Sequence, residues 1–244
     1  MEFNFNTKNI ILFHYPRYTG GKFVMNCMGL SGNMVLQKQS LAQAQIDGTL
    51  SFNDKKEYIL KYIQDEDILK NNFWRDLNLG CSQLFIDGAD NSTTHWGLID
   101  NIKTGKQHSS ITDTVKFLSS DNNNKLLFSL VWHGGGITPR FPNAKIITFK
   151  NNVQMINHRE HFLKQDNEVF VPNWNEGSLN ERVPDFTWNT EWLNDVDATM
   201  DGIKELYRLF NLDGWEQAEP FIKEYYHLWC EKNHLPISTK GIQI

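Results

Sequence analysis

Three short apolar runs organise the chain: "NIILFHY" at 9–15, "KLLFSLVWH" at 125–133 and "AKIITFK" at 144–150. Each is nearly continuous in apolar character, with no alternation of polar residues. That is the pattern of a strand covered on both faces within a parallel sheet. Elsewhere the period changes to three-four. From Gly20 onward Phe23, Val24, Cys27 and Met28 share one helical face, and within 53–70 so do Tyr58, Ile59, Tyr62, Ile63 and Leu69, with Asn53 or Asp54 as the expected N-cap. Segments 111–118 and 152–164 are predicted helical. In the last third Val196, Met200, Ile203, Tyr207 and Phe210 form one stripe, "NLDGW" turns the chain, and Phe221, Ile222, Tyr225 and Trp229 form a second.

Strands alternating with helices predict a parallel sheet with helices on its faces, a three-layer α/β/α arrangement ending in a helical C-terminal third. Turn-rich stretches lie at 81–97, "SSDNNN" at 119–124 and "GGGITPRFPN" at 134–143. With no linker, repeat or low-complexity tract, residues 1–244 read as a single domain.

Charge and cysteine usage narrow the class. Lys and Arg number 24 against 29 Asp and Glu, a formal charge of −5, which argues against a nucleic-acid partner and leaves room only for a local basic pocket. The three cysteines, Cys27, Cys81 and Cys230, are far apart and make no CxxC pair. No stretch approaches the roughly 18 apolar residues of a membrane span, and the first residues lack the features of a signal peptide. The expectation is a cytoplasmic protein with no membrane partner.

The segment "FHYPRYTGGKF" at 13–23 carries the most chemistry. It joins a predicted strand to a predicted helix. Such a turn presents backbone amides and the positive end of a helix to an anion. Gly20 and Gly21 admit close approach of the backbone, and Arg17 and Lys22 offer charge-assisted bonds. The triphosphate loop G-x-x-x-x-G-K-[ST] is matched at Gly21 and Lys22 only: Pro16 stands at its first glycine and Phe23 at its hydroxyl, the group that binds Mg²⁺ in ATP and GTP enzymes. The turn therefore predicts a phosphate bound without metal.

These residues resemble the turn of sulfotransferases, enzymes that use 3′-phosphoadenosine 5′-phosphosulfate (PAPS). Tyr15, Pro16, Arg17, Thr19, Gly20, Gly21, Lys22 and Phe23 match the family's Y-P-[KR]-[ST]-G-[GT]-[TK]-[FW] with Tyr18 inserted. A second stretch, "FSLVWHGGGITPRFPNAKIITFKNN" at 128–152, is similar to the family's strand ending in histidine, its loop and its next strand. Residues 186–215 and 221–233 look like the family's C-terminal helices, without its glycine-rich closing segment.

The resemblance implies a P-loop, nucleotide-kinase-like fold and an in-line displacement at sulfur that leaves adenosine 3′,5′-bisphosphate. It puts His133 at the general base, Lys22 or Arg17 at the cation facing the leaving phosphate, and Thr19, Gly20, Gly21, Lys22 and Phe23 around the 5′-phosphosulfate. Lys150 takes the place of the family's 3′-phosphate arginine. The family's serine in that subsite is missing, its place falling near Asn157 and His158. No metal is expected. The acceptor is a small molecule or carbohydrate, with loops at 80–110 and 165–190 expected to shape its pocket.

Other readings weigh less. A Mg-dependent nucleotide kinase of related fold lacks its Ser or Thr after Lys22. An inactive nucleotide-binding or structural protein fits the missing serine. "HGGG" at 133–136 suggests an esterase oxyanion hole, but no G-x-S-x-G elbow accompanies it. His158, Glu160 and His161 fall short of H-E-x-x-H and read as a solvated helix face. Asp87 reads as a turn residue, and Trp96 and Trp132 as core.

Overall fold

The first apolar run forms the central strand of a parallel sheet. The computed structural model describes residues 9–15, 19–34, 48–64, 84–86, 127–132, 143–150, 183–233 and 235. Among them, β1 (Ile10–His14), β2 (Leu84–Ile86), β3 (Phe128–Trp132), β4 (Lys145–Lys150) and β5 (Phe186–Asn189) pair in the order β2-β3-β1-β4-β5. All four pairings are parallel. One register row crosses the whole sheet near its carboxyl edge: Ile86, Trp132, His14, Thr148 and Thr187.

Both faces of β1 and β4 are buried, which is why their sequences are apolar throughout. On one face Ile11, Phe13, Ile147, Phe149 and Trp188 join the main core, while on the other Leu12, His14, Ile146 and Thr148 are also buried. The main core is closed by helices α1 (Gly21–Gly29), α2 (Phe52–Gln64), α3 (Val196–Phe210) and α4 (Trp215–Lys232). Phe23, Val24, Cys27 and Met28 of α1, Ile203, Leu206 and Phe210 of α3, and Phe221, Ile222, Tyr225 and Trp229 of α4 meet there, so the three-four stripes read from the sequence face the core.

Local chemistry fixes the helix ends. Asp195 accepts from the amide of Ala198 at 2.9 Å and opens α3, which follows a 3₁₀ turn at Thr190–Asn194. Asn211 closes α3 in the left-handed region at φ 52°. Tyr207 then donates to the carbonyl of Cys27 at 2.8 Å, and Asn26 donates to the hydroxyl of Tyr225 at 2.8 Å, tying α1 to both C-terminal helices.

Several boundaries differ from the sequence reading. The cap of α2 is Ser51, not Asn53 or Asp54: its hydroxyl accepts from the amide of Asp54 at 3.2 Å and donates to that residue's carboxylate at 2.6 Å. β2 arises inside the stretch read as a turn-rich loop, because three residues are too few to show a period. Phe186–Asn189 form a strand where the resemblance put the start of the C-terminal helices, and pairing with β4 decides it. α2 ends at Gln64, and 65–70 lie outside the described residues, as do the helices expected at 111–118 and 152–164.

Candidate phosphate site at the strand-to-helix turn

β1 ends at His14, and α1 begins only seven residues on, at Gly21. Gly20 is the N-cap, with φ 80° and ψ 8°, a left-handed conformation that a side chain makes unfavourable. Its carbonyl receives the amide of Val24 at 3.2 Å, the first bond of the helix. No side chain caps this end. Among the described residues the amides of Gly21 and Phe23 reach no acceptor, so α1 presents donors where its dipole is positive.

Packing as well as conformation demands the glycine pair. A Cβ on Gly20 would collide with Cδ1 of Leu193 and stand 3.4 Å from Trp229, and one on Gly21 would lie 2.5 Å from the ring of Tyr15. The two glycines bring the helix start down between the end of β1 and the C-terminal third. Thr19 is buried and Lys22 partly buried.

The ring of Phe23 is fully buried, stacked on Tyr225 at 5.2 Å and tilted against Trp229 at 4.9 Å. Of this residue only the backbone remains for a ligand. The position that carries a metal-binding hydroxyl in triphosphate loops is thus an aromatic core position here.

Topology places further residues on the same edge. Every strand of a parallel sheet ends on one side, and open α/β sheets bind ligands beyond the carboxyl ends, where connections leave neighbouring strands in opposite directions. The chain leaves β1 toward β2 and leaves β4 toward β5, on opposite sides of the pair. Lys150, exposed, is the last residue of β4, in register with Asn189 of β5, and its carbonyl accepts from the Thr190 hydroxyl at 2.7 Å. His133 follows the last residue of β3; it lies outside the described residues, as do Pro16, Arg17, Tyr18, Asn157 and His158.

The sequence reading put Trp229 in a helical stripe but not against the turn, and it did not single out Leu193, which also backs the turn, nor Asn189 at the end of β5. Periodicity marks Trp229 as core, but no local signal connects it with residue 20. Behind the turn, burial raises the Cys230 thiol to about 11 against a lowering hydrogen bond from Tyr226. Burial, then the neighbouring thiol, also raises the Tyr226 phenol. Among the described residues no group of three His, Cys, Asp or Glu side chains is placed to hold a metal, and no helix is long and apolar enough to cross a membrane.

Fold and turn together define a parallel α/β protein with an uncapped helix start at the carboxyl end of its central strand. Compared with protein-family models, curated proteins and solved structures, the chain matches none.

Proposed function

We propose that this protein is a sulfotransferase of P-loop-type three-layer fold that moves a sulfuryl group from 3′-phosphoadenosine 5′-phosphosulfate to a hydroxyl or amine of a small-molecule or carbohydrate acceptor. The observation that carries the reading is the start of α1: left-handed Gly20, amides of Gly21 and Phe23 that reach no acceptor among the described residues, and a buried ring in place of a metal-binding hydroxyl. This combination suits a phosphate held by main chain and lysine rather than by magnesium.

In the reaction the acceptor oxygen or nitrogen attacks sulfur, its proton passes to His133, and the bond from sulfur to the 5′-phosphate oxygen breaks. The negative charge growing on that oxygen faces the amides of the turn and Lys22 or Arg17, and fixed donors aimed at developing charge lower the barrier. Lys150, on the same edge, meets the 3′-phosphate. Imidazole ordinarily titrates near neutral pH, which suits a side chain of this type to take the proton.

The test is thermal melting with adenosine 3′,5′-bisphosphate, with magnesium ATP, and with neither. A ligand at 100 times its dissociation constant adds about 2.7 kcal/mol, or on the order of 5 °C or more for a chain of this size. Stabilisation by the bisphosphate in the presence of EDTA supports the reading. Stabilisation by magnesium ATP alone replaces it with a kinase, and no shift with either removes the cofactor.

A further inference from the structure

We propose that Tyr15 is the positioning residue of the phosphate turn: its ring sets the height at which the first amides of α1 stand above the end of β1. The inference rests on the anion-binding role given to the turn under Proposed function. A Cβ built on Gly21 would be 2.5 Å from Cδ1, Cδ2 and Cε1 of Tyr15 alike, so Gly21 sits over the face of the ring rather than beside its edge. The ring is itself fixed. Tyr15 is buried, its ring lies 5.2 Å from that of Phe149, and its hydroxyl points to the sulfur of Met25 at 3.8 Å, one turn further along α1. The aromatic plane thus underlies the first turn of the helix from Gly21 to Met25.

The helix start cannot lift away to relieve pressure from below. Leu193 and Trp229 stand against Gly20 from the C-terminal third, and Phe23 is packed among Tyr225, Tyr226 and Trp229. The turn is held between a strand-end tyrosine and a helical wall. A methyl group at residue 21 would force ring and backbone apart by about 1 Å, a displacement large enough to cost a binding or catalytic geometry about 10²-fold. Shortening the residue at 15 should make room for that methyl group and restore the height of the amides.

The experiment measures the dissociation constant of adenosine 3′,5′-bisphosphate by calorimetry, and urea stability in parallel, for wild type, Gly21→Ala, Tyr15→Leu, Tyr15→Phe and the double variant Gly21→Ala/Tyr15→Leu. Gly21→Ala is expected to weaken binding by about tenfold to a hundredfold. Tyr15→Phe, which keeps the ring, should bind as wild type. The double variant should bind more tightly than Gly21→Ala while remaining less stable than wild type, a split between affinity and stability that a merely structural tyrosine does not produce. If Gly21→Ala does not fold, Tyr15→Leu alone decides: a loss of about tenfold supports the inference and an unchanged constant overturns it. A double variant no better than Gly21→Ala also overturns it. Wild-type binding with every variant equal to it removes only the role of Tyr15, whereas absence of wild-type binding removes the reading of the site and this inference with it.

Discussion

Phe23 stacks on Tyr225 with ring centroids 5.2 Å apart and planes 17° from parallel, so the third residue of α1 is anchored in α4, some two hundred residues along the chain. The strand-to-helix turn and the C-terminal third are therefore one packing unit. Tyr225 also receives the amide nitrogen of Asn26 at 2.8 Å, which fixes the face α1 presents to α4.

Phe23→Ala should destabilise the protein by about 3–5 kcal/mol, the usual loss when a buried aromatic is truncated and its cavity does not collapse. Urea denaturation checks this through a lower midpoint at unchanged slope. A loss under about 1 kcal/mol would mean that the ring is not the anchor described.

Lys55 is fully buried, and its Nζ donates to the carbonyls of Ser31 and, at 2.8 Å, of Met34, just past the end of α1. Lys55→Met preserves length and apolar bulk but leaves these acceptors without their cation. Each buried acceptor left unmade costs about 1–3 kcal/mol. Chemical denaturation should show a drop of at least that size, and an unchanged midpoint would refute the clamp.

Stability should fall as the solution becomes alkaline. The folded Cys230 thiol titrates at about 11, above the ordinary value of 9.0, because burial disfavours the thiolate, and the Tyr226 phenol is raised for the same reason. A folded value above the unfolded one gives stability that is complete below the unfolded value and is lost as pH rises through the folded one, since the unfolded chain releases its proton first. The loss for Cys230 lies between about pH 9 and 11. Cys230→Ala should flatten this limb in a series of denaturation curves; an equally steep limb in the variant would assign it elsewhere.

Under the proposed sulfotransferase function, His133→Ala should keep a bisphosphate-induced rise in melting temperature and lose transfer by about 10²- to 10⁴-fold, the ordinary contribution of positioned proton transfer. Lys150→Ala should do the reverse in binding, weakening the bisphosphate by the roughly 1.5–3 kcal/mol of a charge-assisted hydrogen bond. Radiolabelled turnover and calorimetry separate the two. Unchanged turnover in His133→Ala would assign the base to another group.

What the sequence determined by itself is local. The continuous apolar runs of β1, β3 and β4, the three-four stripes of α1, α3 and α4, and the glycine pair between strand and helix follow from periods and backbone preferences that act within a few residues. The Ser51 cap was also written in S-F-N-D, although Asn53 and Asp54 stood closer to the start of the apolar stripe. Tertiary structure alone decided the rest. Leu84–Ile86 and Phe186–Asn189 are strands because β3 and β4 supply their hydrogen bonds. Lys55 lies on a helix that reads as half polar, and the carbonyls past the end of α1 help to make its burial tolerable. The two glycines suggested an open approach for an anion, yet the space beside them is filled by Tyr15, Leu193 and Trp229. Strand order and contacts between residues far apart depend on which surfaces meet after the chain has crossed the sheet, and no short-range pattern encodes that meeting.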